Sequence, residues 1–165
     1  MPAGAITLFH LRGIRISVDY SWFLVLFLII FSLSGFYADV LDTEEGAVGP
    51  YLLALASALL FFGSILLHEL GHAFVAIRRG IGIDEITLWM FGGVALLKRD
   101  SDSPATEFKV AVAGPLVTAA IVAATLLGGI AIAGASEFMD AASFDEAADI
   151  LPLVAVLAWL TTVNV

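Results

Sequence analysis

The sequence predicts an α-helical polytopic membrane protein: about four transmembrane helices with a small β-sheet or pair of hairpins on the cytoplasmic side. Three observations predict it. First, 61% of the 165 residues are apolar and only 14% are charged, against about a quarter charged in an ordinary soluble domain. Mean hydropathy is +1.03. Second, four apolar stretches approach the roughly 20 residues that a helix needs to cross about 30 Å of hydrocarbon. Third, the charges segregate along the chain. This composition excludes a disordered chain, a nucleic-acid binder and a water-soluble single-domain enzyme. The absence of cysteine excludes a disulfide scaffold, a thiolate metal site and a thiol nucleophile.

Residues 6–18 read ITLFHLRGIRISV, where Arg12-Gly13 separates two β-rich stretches and predicts a hairpin. His10 within it reads as a packing residue. The first span is 20–38 and the second 51–79, ending at Arg78-Arg79. Residues 84–98 contain EITLWMFGGVALL. Ile86, Leu88 and Met90 alternate there, and Gly92-Gly93 predicts a turn or bulge. Ser101-Asp102-Ser103-Pro104 is expected as a loop leading into the third span, 107–134. The fourth, 150–165, reaches the last residue while still short of a full span.

All seven basic residues precede the first span or fall between the end of the second, at Arg78-Arg79, and the opening turn of the third, at Lys109. The two remaining loops, 39–50 and 137–149, hold nine acidic residues and no basic one. The positive-inside rule then places the N-terminus and the 80–109 loop in the cytoplasm. The formal net charge of −9 therefore reports topology rather than partners.

The second span contains His68-Glu69-Leu70-Gly71-His72, an H-E-x-x-H sequence. Positions i and i+4 of a helix lie about 40° apart around its axis, so both imidazoles face one way and can share a metal ion. Glu69 is one residue away, placed to take a proton from water without being a ligand. Imidazole ligands and a basic carboxylate suit Zn²⁺. Ionisable groups within a span are costly and are retained for function. With Arg78-Arg79 at the boundary, His72 would lie about 9 Å and His68 about 15 Å inside the cytoplasmic half of the bilayer. Gly114-Pro115 of the third span and Asn164 of the fourth are expected at similar depth, as helix-packing or site-lining residues.

HELGH within an apolar helix, the ITLWMFGGVA stretch, EFKVAVAGP opening the next helix and the GIRISVDYSWF entry to the first together resemble the site-2 protease family, intramembrane zinc metalloproteases. The resemblance covers nearly the whole chain. It implies that His68 and His72 are zinc ligands and that Glu69 is the general base. It further implies that Gly92, Gly93 and Val94 hold substrate as an added edge strand, and that the substrate is a transmembrane segment of a membrane-anchored regulatory protein. The expected partners are thus membrane lipid and a transmembrane substrate, with no nucleic acid. One departure stands out. The family's third ligand is an Asp in a motif of the form N-x-x-P-x-x-P-x-D-G, and no such motif occurs in 1–165. The expectation is a metalloprotease core truncated before that motif and inactive without it. A catalytically silent membrane-embedded scaffold is the alternative. A proton- or metal-conducting transporter would require broken helices or paired half-repeats, and neither is evident.

Overall fold

A computed structural model describes residues 4–44, 46–99, 103–143 and 150–165. Glu45 and residues 144–149 of the acidic stretches, and Ser101 and Asp102 of the 101–104 cluster, lie outside the described residues. The chain runs β1 (Ile6–Leu11), β2 (Ile14–Val18), α1 (Tyr20–Val40), α2 (Val48–Arg78), β3 (Ile83–Trp89), β4 (Gly92–Leu97), α3 (Pro104–Ala133), α4 (Ala135–Ser143) and α5 (Pro152–Asn164). A mostly helical chain with one small sheet is the predicted class. Among the described residues, α1, α2 and α3 are long and apolar enough to cross a membrane, and α5 is a shorter apolar helix of 13 residues. The most apolar stretch of α1 is 17% buried and that of α3 only 6%. Side chains so greasy and so exposed need lipid, not water, around them.

Two compact units divide the chain, and the long helices contribute to both. The first comprises residues 1–25 and 63–118. Its four strands form a single sheet in the order β1-β2-β3-β4. The Arg12-Gly13 turn closes the antiparallel β1–β2 pair with positive φ at both residues, 49° and 87°, a two-residue connection that matches strand twist. β2 pairs with β3 in parallel, which requires a long crossover; α1 and α2 supply it. β3 and β4 are antiparallel. Ile14, Ile16, Ile83 and Ile86 bury one face of the sheet against Ala73 and Ala76 of α2. Alanines three residues apart share a helix face, and their small size lets a strand approach.

The entry to α1 is pinned to this sheet. The Asp19 amide donates to the Leu88 carbonyl (2.8 Å) and the Met90 amide to the Ser21 hydroxyl (3.1 Å). Asp19 caps the helix by accepting from the Ser21 amide at 2.9 Å. Hydrogen bonds from the Ser21 hydroxyl and backbone hold its carboxyl below the usual carboxylate range. α3 starts similarly, with the Thr106 amide donating to Ser103 Oγ (3.3 Å) and Pro104 at the first helical position.

The second unit comprises residues 26–62 and 119–165. Leu33 and Tyr37 of α1, Ala54 of α2 and Ala155, Val156 and Trp159 of α5 form one cluster. The Tyr37 and Ser57 hydroxyls share a hydrogen bond at 2.5 Å, and Thr161 donates to Thr125 at 2.8 Å. Both pairs satisfy polar groups in an apolar setting. α4 is a short helix within the stretch expected to be an acidic loop. Its Phe138 and Ala141 are buried with Val154 and Ala158 of α5, and the Phe138 ring fills the space a side chain at Gly129 would need.

The Gly92-Gly93 expectation needs correcting. The turn falls on Met90-Phe91, and both glycines open β4 in regular pairing, Trp89 with Gly92 and Leu88 with Gly93. Gly92 carries φ 131°, which ends the turn. Gly93 stays in the strand because of what lies over it.

Candidate metal centre

α2 is helical through residues 68–72, so the two histidines lie one turn apart on a single face. Their ring centroids are 4.8 Å apart and their Nε2 atoms 3.1 Å. Each ring is held from behind by α3. His72 Nδ1 is 2.7 Å from the Val110 carbonyl, and His68 Nδ1 is 2.8 Å from Thr118 Oγ1. A carbonyl only accepts, so His72 carries its proton on Nδ1. In the neutral ring Nε2 then holds a free lone pair, the form in which an imidazole ligates metal. The Thr118 hydroxyl can accept from His68 in the same manner.

Val110, Gly114 and Thr118 recur every four residues and share one face of α3. Gly114, between the two anchors, faces the histidines directly. A Cβ there would collide with His72 Nε2 and come within 2.6 Å of His68 Nε2. Close helix crossing continues one step away: a Cβ on Gly71 would lie 2.9 Å from the Ala113 carbonyl oxygen. Glycines at 71 and 114 thus let α2 and α3 meet closely enough for the imidazoles to be held.

Glu69 extends the site toward the sheet. A Cβ at Gly93 would strike Glu69 Cγ and lie 2.8 Å from its carboxyl carbon. The half-buried carboxylate therefore rests against the backbone of β4. That strand pairs only with β3 within the sheet, so it forms an edge.

These donors fit a zinc ion as far as they go. Two neutral imidazole nitrogens 3.1 Å apart can both reach one ion at about 2.0–2.1 Å. Without a cation or a shared proton, two facing lone pairs repel. Among the described residues, no third His, Cys, Asp or Glu joins them.

The remaining expected site residues divide. Gly93 and Gly114 are brought to the histidine–glutamate cluster; Gly92 and Val94 flank Gly93 in β4, with Val94 side-chain exposed. Pro115 is exposed, turned away from the buried Gly114 beside it, within an unbroken α3. Asn164 belongs to the second unit, where its amide donates to the Leu160 carbonyl at 2.9 Å. Sequence reasoning passed over Thr118 and Gly71. A hydroxyl eight residues beyond Val110 in an uncharged span was the available signal for the first, and a glycine within the motif for the second.

Residues 56–163 match the model of Peptidase family M50. A protein of Synechocystis sp., named a candidate zinc metalloprotease, is 44% identical over 108 residues, covering 66% of this chain and 28% of that protein. A Mycobacterium tuberculosis protein, also named a candidate zinc metalloprotease, is 34% identical over 163 residues, covering 97% of this chain and 37% of that protein. The chain thus spans about a third of the length of these relatives or less. The structure of a site-2 protease from Methanocaldococcus jannaschii superposes with a TM-score of 0.55 and 27% identity, over 97% of this chain and 62% of that one. The match over residues 56–163, with the likeness to a solved site-2 protease, makes this protein a member of Peptidase family M50, the site-2 protease family.

Proposed function

We propose that the chain forms the core of an intramembrane zinc metalloendopeptidase that hydrolyses peptide bonds in transmembrane segments of membrane-anchored regulatory proteins. The observation that carries this reading is the convergence of His68 and His72 Nε2 on one side of Gly114, with Glu69 alongside and resting on an edge strand. His68 and His72 would hold the ion. Zinc, when bound, supplies Lewis acidity toward the scissile carbonyl and lowers the pKa of water. Glu69 takes one proton from the attacking water as its oxygen bonds to the carbonyl carbon. It then passes that proton to the amine nitrogen as the C–N bond breaks.

A helical substrate hides its carbonyls in i to i−4 bonds, so it must be locally unwound to react. The edge of β4 offers free backbone groups to an extended segment, with Gly92, Gly93 and Val94 at the point of contact. Gly93 lets such a strand lie close to Glu69. In this reading α5 belongs to a fourth span. The N-terminus and the β3–β4 loop are cytoplasmic, as the basic residues demand, and the site lies in the cytoplasmic half of the bilayer.

The test compares the full-length protein with its Glu69→Gln variant on a membrane-anchored substrate. The expected result is loss of cleavage by about 10²–10⁴-fold with zinc content unchanged. Equal cleavage by both, in protein that takes up no zinc, would replace this reading with that of a silent membrane-embedded scaffold.

A further inference from the structure

The first unit contains a concavity on the side of α2 away from the histidines. Leu70, Ala73, Phe74, Ile77 and Arg78 recur at the spacing of one helix face, centred roughly 160° around the axis from the histidine–glutamate face. They line a cavity of about 660 Å³ together with Leu11, Arg12 and Ile14 of the β1–β2 hairpin. Its walls are aliphatic and aromatic, and its charged members are two arginines. Among the described residues, no acidic one lines it.

Two features of those arginines and one of the hairpin bear on what the cavity holds. Arg12 has φ 49°, a left-handed conformation that favours Gly, Asn or Asp over a long side chain. The turn thus accepts strain at a position where a guanidinium meets the cavity. Arg78 stacks on Phe74, its guanidinium carbon 4.1 Å from the ring centroid, which leaves its in-plane N–H donors available to an anion. The hairpin beside Arg12 exposes Leu8, Phe9 and Leu11, an apolar surface suited to the membrane interface.

We propose that this cavity binds one anionic phospholipid, its phosphate between Arg12 and Arg78 and an acyl chain along Leu70, Phe74 and Ile77. A free phosphate would leave the apolar wall unused, and a zwitterionic lipid would leave the arginine pair half-matched. The lipid would join the hairpin to α2, on the side of that helix opposite His68.

The test uses the full chain in mild detergent, offered phosphatidylglycerol and phosphatidylcholine with identical acyl chains, with retained lipid read by native mass spectrometry. Phosphatidylglycerol is expected to be retained preferentially. Arg12→Asn and Arg78→Gln are each expected to reduce that preference about fivefold, the effect of one basic residue near an anionic headgroup. Asn is a favoured residue at the first position of this turn, so Arg12→Asn keeps the hairpin folded. Equal retention of the two lipids by the parent protein overturns the proposal, as does an unchanged preference in both variants. Complete displacement of phosphatidylglycerol by millimolar glycerol 3-phosphate also overturns it, because the site would then be one for a free anion.

Discussion

His68 Nδ1 and Thr118 Oγ1 are 2.8 Å apart, a hydrogen bond between two helices in a setting with few other polar groups. It orients one imidazole as the Val110 carbonyl orients the other at 2.7 Å. The two anchors differ in kind. A carbonyl tolerates a single tautomer of its histidine, whereas a hydroxyl can donate or accept. With Nδ1 protonated, His68 offers its Nε2 lone pair to a metal. With the proton on Nε2, His68 can instead donate across 3.1 Å to His72. The hydroxyl at 118 therefore serves the pair both with an ion and without one.

Thr118→Val is isosteric and removes only that polar contact. Loss of such an outer partner typically costs about 10–100-fold in metal affinity. Zinc affinity measured by chelator competition should fall by that factor, and Thr118→Ser should restore most of it. If valine binds zinc as tightly as threonine, the hydroxyl positions nothing.

Gly114→Ala separates metal binding from folding. Alanine is favoured over glycine in a helix by about 1 kcal/mol, so α3 itself should not suffer. The new methyl would instead meet both Nε2 atoms and push the rings apart. Zinc content of the purified variant should drop well below that of the parent, with helical circular dichroism preserved. Zinc uptake equal to the parent's would show that the imidazoles can move aside without loss.

These two positions also mark how far the sequence could be read. The His68–Glu69–His72 spacing needs only helical periodicity, and the three long apolar helices need only length and composition, so both were legible locally. The contact of Gly114 with the rings depends on two helices 42 positions apart in sequence from His72, and no local pattern records that proximity. Gly93 misled for a related reason. A glycine pair after an alternating stretch reads as a turn, yet here it keeps a strand bare beneath Glu69. α4 escaped notice because Phe138 and Ala141 are too few to establish a period among acidic residues. Thr118 was legible in principle, as a hydroxyl on the Val110–Gly114 face, and was overlooked.

Phe138→Ala tests the packing of the second unit. The ring is fully buried and fills the notch left by Gly129. Truncation of a buried Phe costs about 3–5 kcal/mol in well-packed cores. The melting temperature in detergent should fall markedly, while zinc content at low temperature stays unchanged because His68 and His72 both lie in the other unit. A melt indistinguishable from the parent's would mean that α4 contributes nothing to the fold.

Gly93→Ala examines the join between the carboxylate and the edge strand. The added Cβ would occupy the place of Glu69 Cγ, so either the carboxylate or the strand must shift. The histidines contact α3 rather than β4, through Val110 and Thr118, so zinc affinity should hold. On the proposed mechanism, cleavage of a membrane-anchored substrate by the full-length protein should nonetheless fall by about tenfold or more, since proton transfer would depend on the position of the Glu69 carboxylate. A displaced base lowers kcat, and a blocked edge strand raises KM. The ratio of the two effects therefore tells whether Gly93 acts chiefly by making room for Glu69 or by admitting the substrate backbone. Unchanged kcat and KM would show that β4 can yield to a methyl group, and that its closeness to Glu69 does not matter to the reaction.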